Sequence, residues 1–209
     1  NLLEVLLARK VTGLGYETAL KEGRTIFLEP MSEIAGILAA ALAGFFLSFL
    51  KPGKIEYPPR MFEKLEGIGS GLPELPRNLP PGKVVIFGGG VVGRHAAKTA
   101  LQMGGEVDLI EKRPERQSEL RETFKSFAKR FRVRGLEEDL SHPLKQADVW
   151  IGAVHAVGKR SPLVLSEEDL ETLSREKKKL IFDIAVDQGG NFPETRPTAP
   201  SGNSVPGSP

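Results

Sequence analysis

An α/β fold built on a doubly wound parallel sheet, preceded by part of a second α/β domain, is predicted by three observations. Short apolar runs at 83–87, 106–111, 147–154 and 179–186 recur between segments of helical period. Apolar strands alternating with amphipathic helices point to a parallel sheet covered on both faces. A stretch dense in proline and glycine, 51–82, parts this pattern from residues 1–50. An irregular connection of that length is simpler as a domain boundary than as a loop within one domain. The division is therefore 1–50 as a partial domain, 51–82 as linker, 83–190 as the doubly wound domain, and 191–209 as an irregular, proline-rich tail.

The elements follow in order. Residues 2–10 have helical spacing, 11–16 read as a strand, Glu22-Gly23 as a charged turn and 25–28 as a short strand. The uncharged run 34–50 reads as a helix preceded by Pro30, with Ser32 as N-cap and Glu33 in its first turn, stopped at Lys51-Pro52-Gly53. It reaches only the short end of a membrane span, about 17–25 residues. With no aromatic belt at both ends and no basic cluster at its start, it reads as a helix buried on most sides, and no membrane partner is expected. Gly36, Ala40 and Gly44 recur every four residues and form one smooth face suited to close contact with another helix. Beyond the linker, strand 83–87 leads into helix 91–104, and strand 106–111 into a charged helix, 114–131, opened by Pro114. A short strand at 132–135, a weak helix near Leu144 and strand 147–154 come next. Ser166 caps helix 166–177, which has acids first and bases last, and 179–186 is the final strand.

Composition narrows the function. A net charge of +2 is too small to imply a nucleic-acid or membrane-surface partner. The absence of cysteine excludes disulfides, thiol catalysis and Cys-ligated zinc, and agrees with a reducing, cytoplasmic setting. His95, His142 and His155 have no metal-ligand spacing, so no metal site is expected.

Gly88, Gly90 and Gly93 satisfy G-x-G-x-x-G between a predicted strand and a predicted helix, the context of a Rossmann-like dinucleotide turn. The three glycines would serve a tight turn, close backbone approach to a pyrophosphate, and close helix–strand packing. The unpaired amides of the helix start, from Val91 and Val92 onward, favour phosphate. Glu111 ends the next strand, where an acid accepts hydrogen bonds from the adenosine ribose. A carboxylate there repels a 2′-phosphate, so NAD is expected over NADP. Arg113 and Arg116 lie close enough to neutralise such a phosphate, although Arg113 reads first as a solvated helix start. At the carboxyl edge of the sheet, His155 is a candidate proton handler or a plain loop residue. Asp187, followed by Gln188 and two glycines, leaves the last strand where a nicotinamide would sit, or else serves as a turn residue.

Five segments in order, "GYETAL", "LEPMSEIAG", "VVIFGGGVVGRHAAKTALQMGGEVDLIEKR", "ADVWIGAVHAVGKRSP" and "DIAVDQGGNFPETRPT", resemble the alanine dehydrogenase and pyridine nucleotide transhydrogenase NAD-binding family. "PMSEIAG" and "DQGG" look more like alanine dehydrogenases than the transhydrogenase subunit, which has an "SRAQ"-like segment and a Glu at those places. The resemblance implies NAD-dependent, reversible deamination of L-alanine to pyruvate and ammonium in a cleft between two domains. Residues 1–50 would then be part of the catalytic, substrate-binding domain. It also implies a homo-oligomer, a hexamer, built through helices flanking the linker. Position by position, it places Met31 and Ser32 at the cofactor cleft, Gly88, Gly90, Val91, Val92 and Gly93 around the pyrophosphate, Glu111 on the ribose and Arg116 beside the adenosine. Ala153, Val154 and His155 would lie along the cofactor, and Asp187 beside nicotinamide and substrate.

The departures are specific. The family's substrate-binding Arg and Lys and its His proton handler are expected upstream of "GYET", before this chain starts. An "ANMPGAVP" segment expected after "RPT" is replaced by "SGNSVPGSP". His155 stands in for an apolar residue, and "HAVG" lacks a Pro before its Gly. The chain therefore reads as a portion of a complete enzyme or as a shortened relative, with the first favoured. Three functional readings stay open: an amino-acid dehydrogenase, the NAD(H)-binding subunit of a transhydrogenase, or a non-catalytic NAD-binding module.

Overall fold

The computed structural model describes residues 2–13, 15, 19–49, 81–156, 159–175, 177–193 and 195–196. Nearly all of the expected linker and the end of the expected tail lie outside the described residues. The chain opens with helix α1 (Leu2–Ala8). The strand expected at 11–16 does not form among its described residues, 11–13 and 15. Strands β1 (Leu20–Lys21) and β2 (Arg24–Thr25) pair antiparallel around Glu22-Gly23. Both turn residues have positive φ, 52° and 77°, the signature of a type I′ hairpin.

Helix α2 (Leu28–Phe49) starts earlier than its sequence signals indicate. Ile26 and Phe27 form a turn, and Leu28 is already helical, so the short strand expected at 25–28 shrinks to Thr25. Pro30 sits within the first helical turn, where the missing N–H would have had no partner anyway. Ser32 is consequently not the N-cap and lies one turn inside the helix. By length and composition, Leu28–Leu47 is apolar enough to cross a membrane. Its burial is one-sided rather than general. Gly36, Ala39, Ala40 and Ala43 are buried, whereas Ile34 and Leu38 are 58% and 53% exposed.

Five parallel strands follow: β3 (Lys83–Phe87), β4 (Glu106–Ile110), β5 (Phe131–Arg134), β6 (Val149–Gly152) and β7 (Leu180–Asp183). Their order across the sheet is β5-β4-β3-β6-β7, so the strand order reverses between β3 and β6. Helices α3 (Val91–Gln102), α4 (Pro114–Thr123), α5 (Ser141–Gln146) and α6 (Glu167–Ser174) connect them. The fold is the expected doubly wound α/β architecture.

The three central strands, β3, β4 and β6, feed two cores, and the outer strands β5 and β7 feed one. Val84 and Ile86, Val107 and Leu109, and Val149 and Ile151 face one side, with Ala96, Ala97 and Leu101 of α3 and Leu120 of α4. Val85, Phe87, Ile110 and Trp150 face the other, with Leu144 of α5 and Leu173 of α6. Burying an aliphatic side chain of this kind contributes about 1.5–3 kcal/mol. Both faces of β3 and β6 are buried, which explains their continuous apolar runs, whereas β5 at the sheet edge alternates Phe131 and Val133 with Arg132 and Arg134.

Helix α4 is shorter than the expected 114–131, ending at Thr123 before a 3-10 turn over Lys125–Phe127. The chain must turn back to enter β5 in parallel, and Phe124 packs on Phe131 with ring centroids 4.6 Å apart. Pro114 opens α4 as expected, and Ser166 caps α6 in a capping box with Asp169. At the far end, Asn191 and Phe192, assigned by composition to the tail, are 0% and 2% exposed in the core.

The smooth face of α2 finds its partner in α3. A Cβ on Gly36 would lie 2.3 Å from the Val92 carbonyl oxygen and 3.0 Å from the Ala96 nitrogen, and one on Gly44 would meet the Met103 side chain. Positions 36 and 44 advance with 92 and 103, so the two helices run parallel. The first turns of α2 therefore lie toward the sheet edge from which α3 springs.

Candidate dinucleotide site

The site is built on the loop between β3 and α3, at the point where strand order reverses. Ligands of open α/β sheets bind beyond the carboxyl ends of the strands at such a point. Gly88 has φ +98°, and its N–H donates to the Ile110 carbonyl of β4 at 2.8 Å. A side chain here would be strained in backbone and would run into the Ala153 carbonyl, 2.7 Å from its Cβ. At Gly93, a Cβ would lie 1.8 Å from the Gly88 carbonyl oxygen. Gly90 differs: its φ of −71° suits any residue, and a Cβ there would meet nothing within 4 Å.

Two glycines of the turn are thus required by protein packing, and the third borders open space. That space adjoins the N-terminus of α3, where no side chain caps the helix. The amides of Val91, Val92 and Gly93 belong to the first helical turn, whose N–H groups have no intrahelical acceptor and, with the helix dipole, attract an anion. The donor set fits a pyrophosphate.

Glu111 follows β4 and turns back toward the loop. Its Oε2 accepts the Gly89 N–H at 3.0 Å, and its Oε1 accepts the Arg113 N–H at 3.0 Å. The Arg113 guanidinium adds Nε to Oε1 at 3.0 Å and Nη2 to Oε2 at 3.2 Å. Burial on its own would raise the Glu111 pKa. The hydrogen bonds from the Arg113 side chain and from the Arg113 and Gly89 amides, with the nearby positive charge, outweigh it and hold the carboxyl below the usual carboxylate range. Gln117 braces the same corner, donating Nε2 to the Glu111 carbonyl at 2.8 Å. Arg113 stands at the solvated start of α4, as expected, and is in addition the ion-pair partner of Glu111. Arg116 is half-buried and pairs with Glu119 at 2.7 Å.

Across the switch point, the Ala153 N–H donates to the Phe87 carbonyl at 2.9 Å, which sets Ala153 against the glycine turn. Val154 is held by Asn191. The Asn191 Oδ1 accepts the Val154 N–H at 3.0 Å, and its Nδ2 donates to the Val154 and Pro162 carbonyls, both at 2.9 Å. Asp183, the last residue of β7, spends its carboxylate on the following loop. It accepts the amides of Ala185 at 3.1 Å, Asn191 at 2.6 Å and Phe192 at 3.1 Å. Asn191, Asp183 and Gln117 were not singled out from sequence. Asp183 had a readable signal, an acid ending an apolar strand as Glu111 does, whereas Asn191 had none.

Asp187 lies exposed in the short turn Val186–Gln188, and His155 lies exposed after β6. Neither has a hydrogen bond or ion pair to another described residue, and no contact joins them. Met31 is exposed and Ser32 half-buried in the opening turns of α2, with Ser32 one turn ahead of Gly36 on the face that meets α3.

Fold and turn together define a dinucleotide-binding domain of the doubly wound class. Residues 63–206 match the family described as alanine dehydrogenase/PNT, C-terminal domain, and the chain belongs to that family. The chain is 33% identical over 196 residues to alanine dehydrogenase 2 of Staphylococcus aureus, covering 93% of this chain and 48% of that protein. Among solved structures, an L-alanine dehydrogenase superposes with a TM-score of 0.71 at 33% identity, over 96% of this chain and 50% of that one. A transhydrogenase from Sinorhizobium meliloti shares the fold, with a TM-score of 0.56 at 19% identity over 79% of this chain and 43% of that one. The chain thus spans about half the length of the relatives it matches. NAD(H), the expected cofactor, is that of the family.

Proposed function

We propose that this chain carries the NAD-binding domain, with part of the substrate domain, of an amino-acid dehydrogenase that interconverts L-alanine with pyruvate and ammonium. The observation that carries this reading is the open space beside Gly90, on a turn whose other two fingerprint glycines are packed solid. The alanine dehydrogenase relatives supply the substrate by analogy. When bound, NAD supplies the hydride acceptor.

In this reading, the α3 amides hold the pyrophosphate, Glu111 orients the adenosine ribose and Arg116 flanks the adenosine. Met31 and Ser32 reach the cleft from α2. Val154, clamped by Asn191, and Ala153, bonded to the Phe87 carbonyl, form a wall along the cofactor. Asp187 positions the reactive end, where small errors of orientation are costly, and His155 is the candidate proton handler among this chain's own residues. The exposed apolar face of α2 is the contact surface of a cytoplasmic homo-oligomer.

The test is the full-length protein mixed with NAD and L-alanine. L-alanine-dependent growth of reduced-nicotinamide absorbance is expected. Tight NADH binding without such growth, together with hydride transfer to an NADP analogue, would instead establish a transhydrogenase subunit.

A further inference from the structure

We propose that the ribose end of this site also admits a 2′-phosphate, so that the chain binds NADP(H) as well as NAD(H), with Arg113 as the specificity-determining residue. The inference rests on the dinucleotide reading above and goes beyond it. A carboxylate offers about four lone-pair positions. In Glu111 all four are taken, by the Gly89 amide, the Arg113 amide and two guanidinium nitrogens. Ribose hydroxyls therefore reach this carboxylate only by displacing Arg113.

The pair is layered. Glu111 is 5% exposed and the Arg113 side chain 53%, so the guanidinium covers the carboxylate on its solvent side. With the rest of the carboxylate buried, an adenosine ribose would have to reach it from that side. A bare acid at this position repels a 2′-phosphate, but here the negative charge is answered within one ion pair. A guanidinium has five N–H donors in a planar fork that matches phosphate geometry. Two of the five are used on Glu111, which leaves the outward ones for a ligand. The other charges at this corner balance: Lys112 and Arg116 against Glu115 and Glu119, with Arg116 already paired to Glu119. Arg113 thus competes with the ribose for Glu111 and offers a phosphate its own partner, which moves both affinities toward each other.

The experiment titrates NADH and NADPH, by nicotinamide fluorescence and calorimetry, into the full-length protein and its Arg113→Ala and Arg113→Lys variants. The wild type is expected to prefer NADH by less than about a hundredfold. Arg113→Ala is expected to widen that ratio by about tenfold or more through weaker NADPH binding, with NADH held or tightened. Arg113→Lys, which keeps charge without the fork, is expected to fall between the two. A wild-type preference for NADH above a hundredfold, or a ratio that Arg113→Ala leaves unchanged, overturns the inference while leaving the dinucleotide site standing. Failure of both nucleotides to bind the folded wild type overturns both. Because Arg113→Ala leaves the buried Glu111 carboxylate with only its two main-chain donors, that variant is expected to melt below wild type, and a thermal scan on each preparation verifies that it is folded at the titration temperature.

Discussion

Gly90→Ala is expected to leave the fold intact while weakening dinucleotide binding. The backbone at residue 90, φ −71° and ψ −162°, is open to alanine, and the new methyl group meets no protein atom within 4 Å. Two small stability effects oppose each other. Alanine reduces the freedom of the unfolded chain, which stabilises by about 0.4–1 kcal/mol. Alanine is also a poorer helix N-cap than glycine, which costs a similar amount, about 0.5–1 kcal/mol. They offset, and the melting temperature should stay within a few degrees of wild type. Binding is another matter, because the methyl group fills the space through which the α3 amides meet a pyrophosphate. Losing one hydrogen bond to a charged group there costs about 1.5–3 kcal/mol, or about ten- to a hundredfold in affinity. Gly93→Ala is the contrasting control. Its Cβ would lie 1.8 Å from the Gly88 carbonyl oxygen, a main-chain atom that moves only with the whole turn. That variant should lose stability by about 1–3 kcal/mol or more. Calorimetric melts and NADH fluorescence titrations on the same preparations separate the two behaviours. A folded Gly90→Ala protein with wild-type NADH affinity would refute the assignment of this turn.

Asn191→Ala should destabilise strongly, since it empties a fully buried side-chain position and takes the partner from the half-buried Val154 amide and carbonyl and from the Pro162 carbonyl. At about 1–3 kcal/mol per unsatisfied group, a total near 3 kcal/mol or more is expected in urea denaturation. Asp187→Asn should keep NADH affinity and lower alanine turnover by about a hundredfold or more, and unchanged turnover would retire the role. For Glu111, the folded pKa lies below the unfolded value of about 4.3. Its contribution is therefore complete above that unfolded value and is lost as pH falls through the folded one. Melts of wild type and Glu111→Gln should differ near neutral pH and converge in acid. A gap that persists unchanged at low pH would mean the Glu111–Arg113 pair is not its source.

Much of the fold was legible because its signals are local. Strand–glycine–helix punctuation at 83–93, Pro114 at a helix start and the Ser166 cap each depend on a handful of adjacent residues, and all three appear where sequence places them. Where a boundary depends on what the chain meets next, local signals misplace it. Helix α4 ends early because Phe124 packs on Phe131. Helix α2 starts early because Pro30 is tolerated in a first turn, and it is buried on one side, where its small residues meet α3 and Phe46 meets Phe182 of β7.

Sequence by itself determined the class of the domain and the place of its glycine turn, since three glycines at fixed spacing between a strand and a helix are a local signal. Which glycine faces open space, and what sits on Glu111, were decided only in three dimensions. Gly89 and Glu111 are 22 positions apart, and Asn191 reaches Val154 across 37. Bonds of that span depend on how the parallel strands stack beside one another, which no short window of residues encodes.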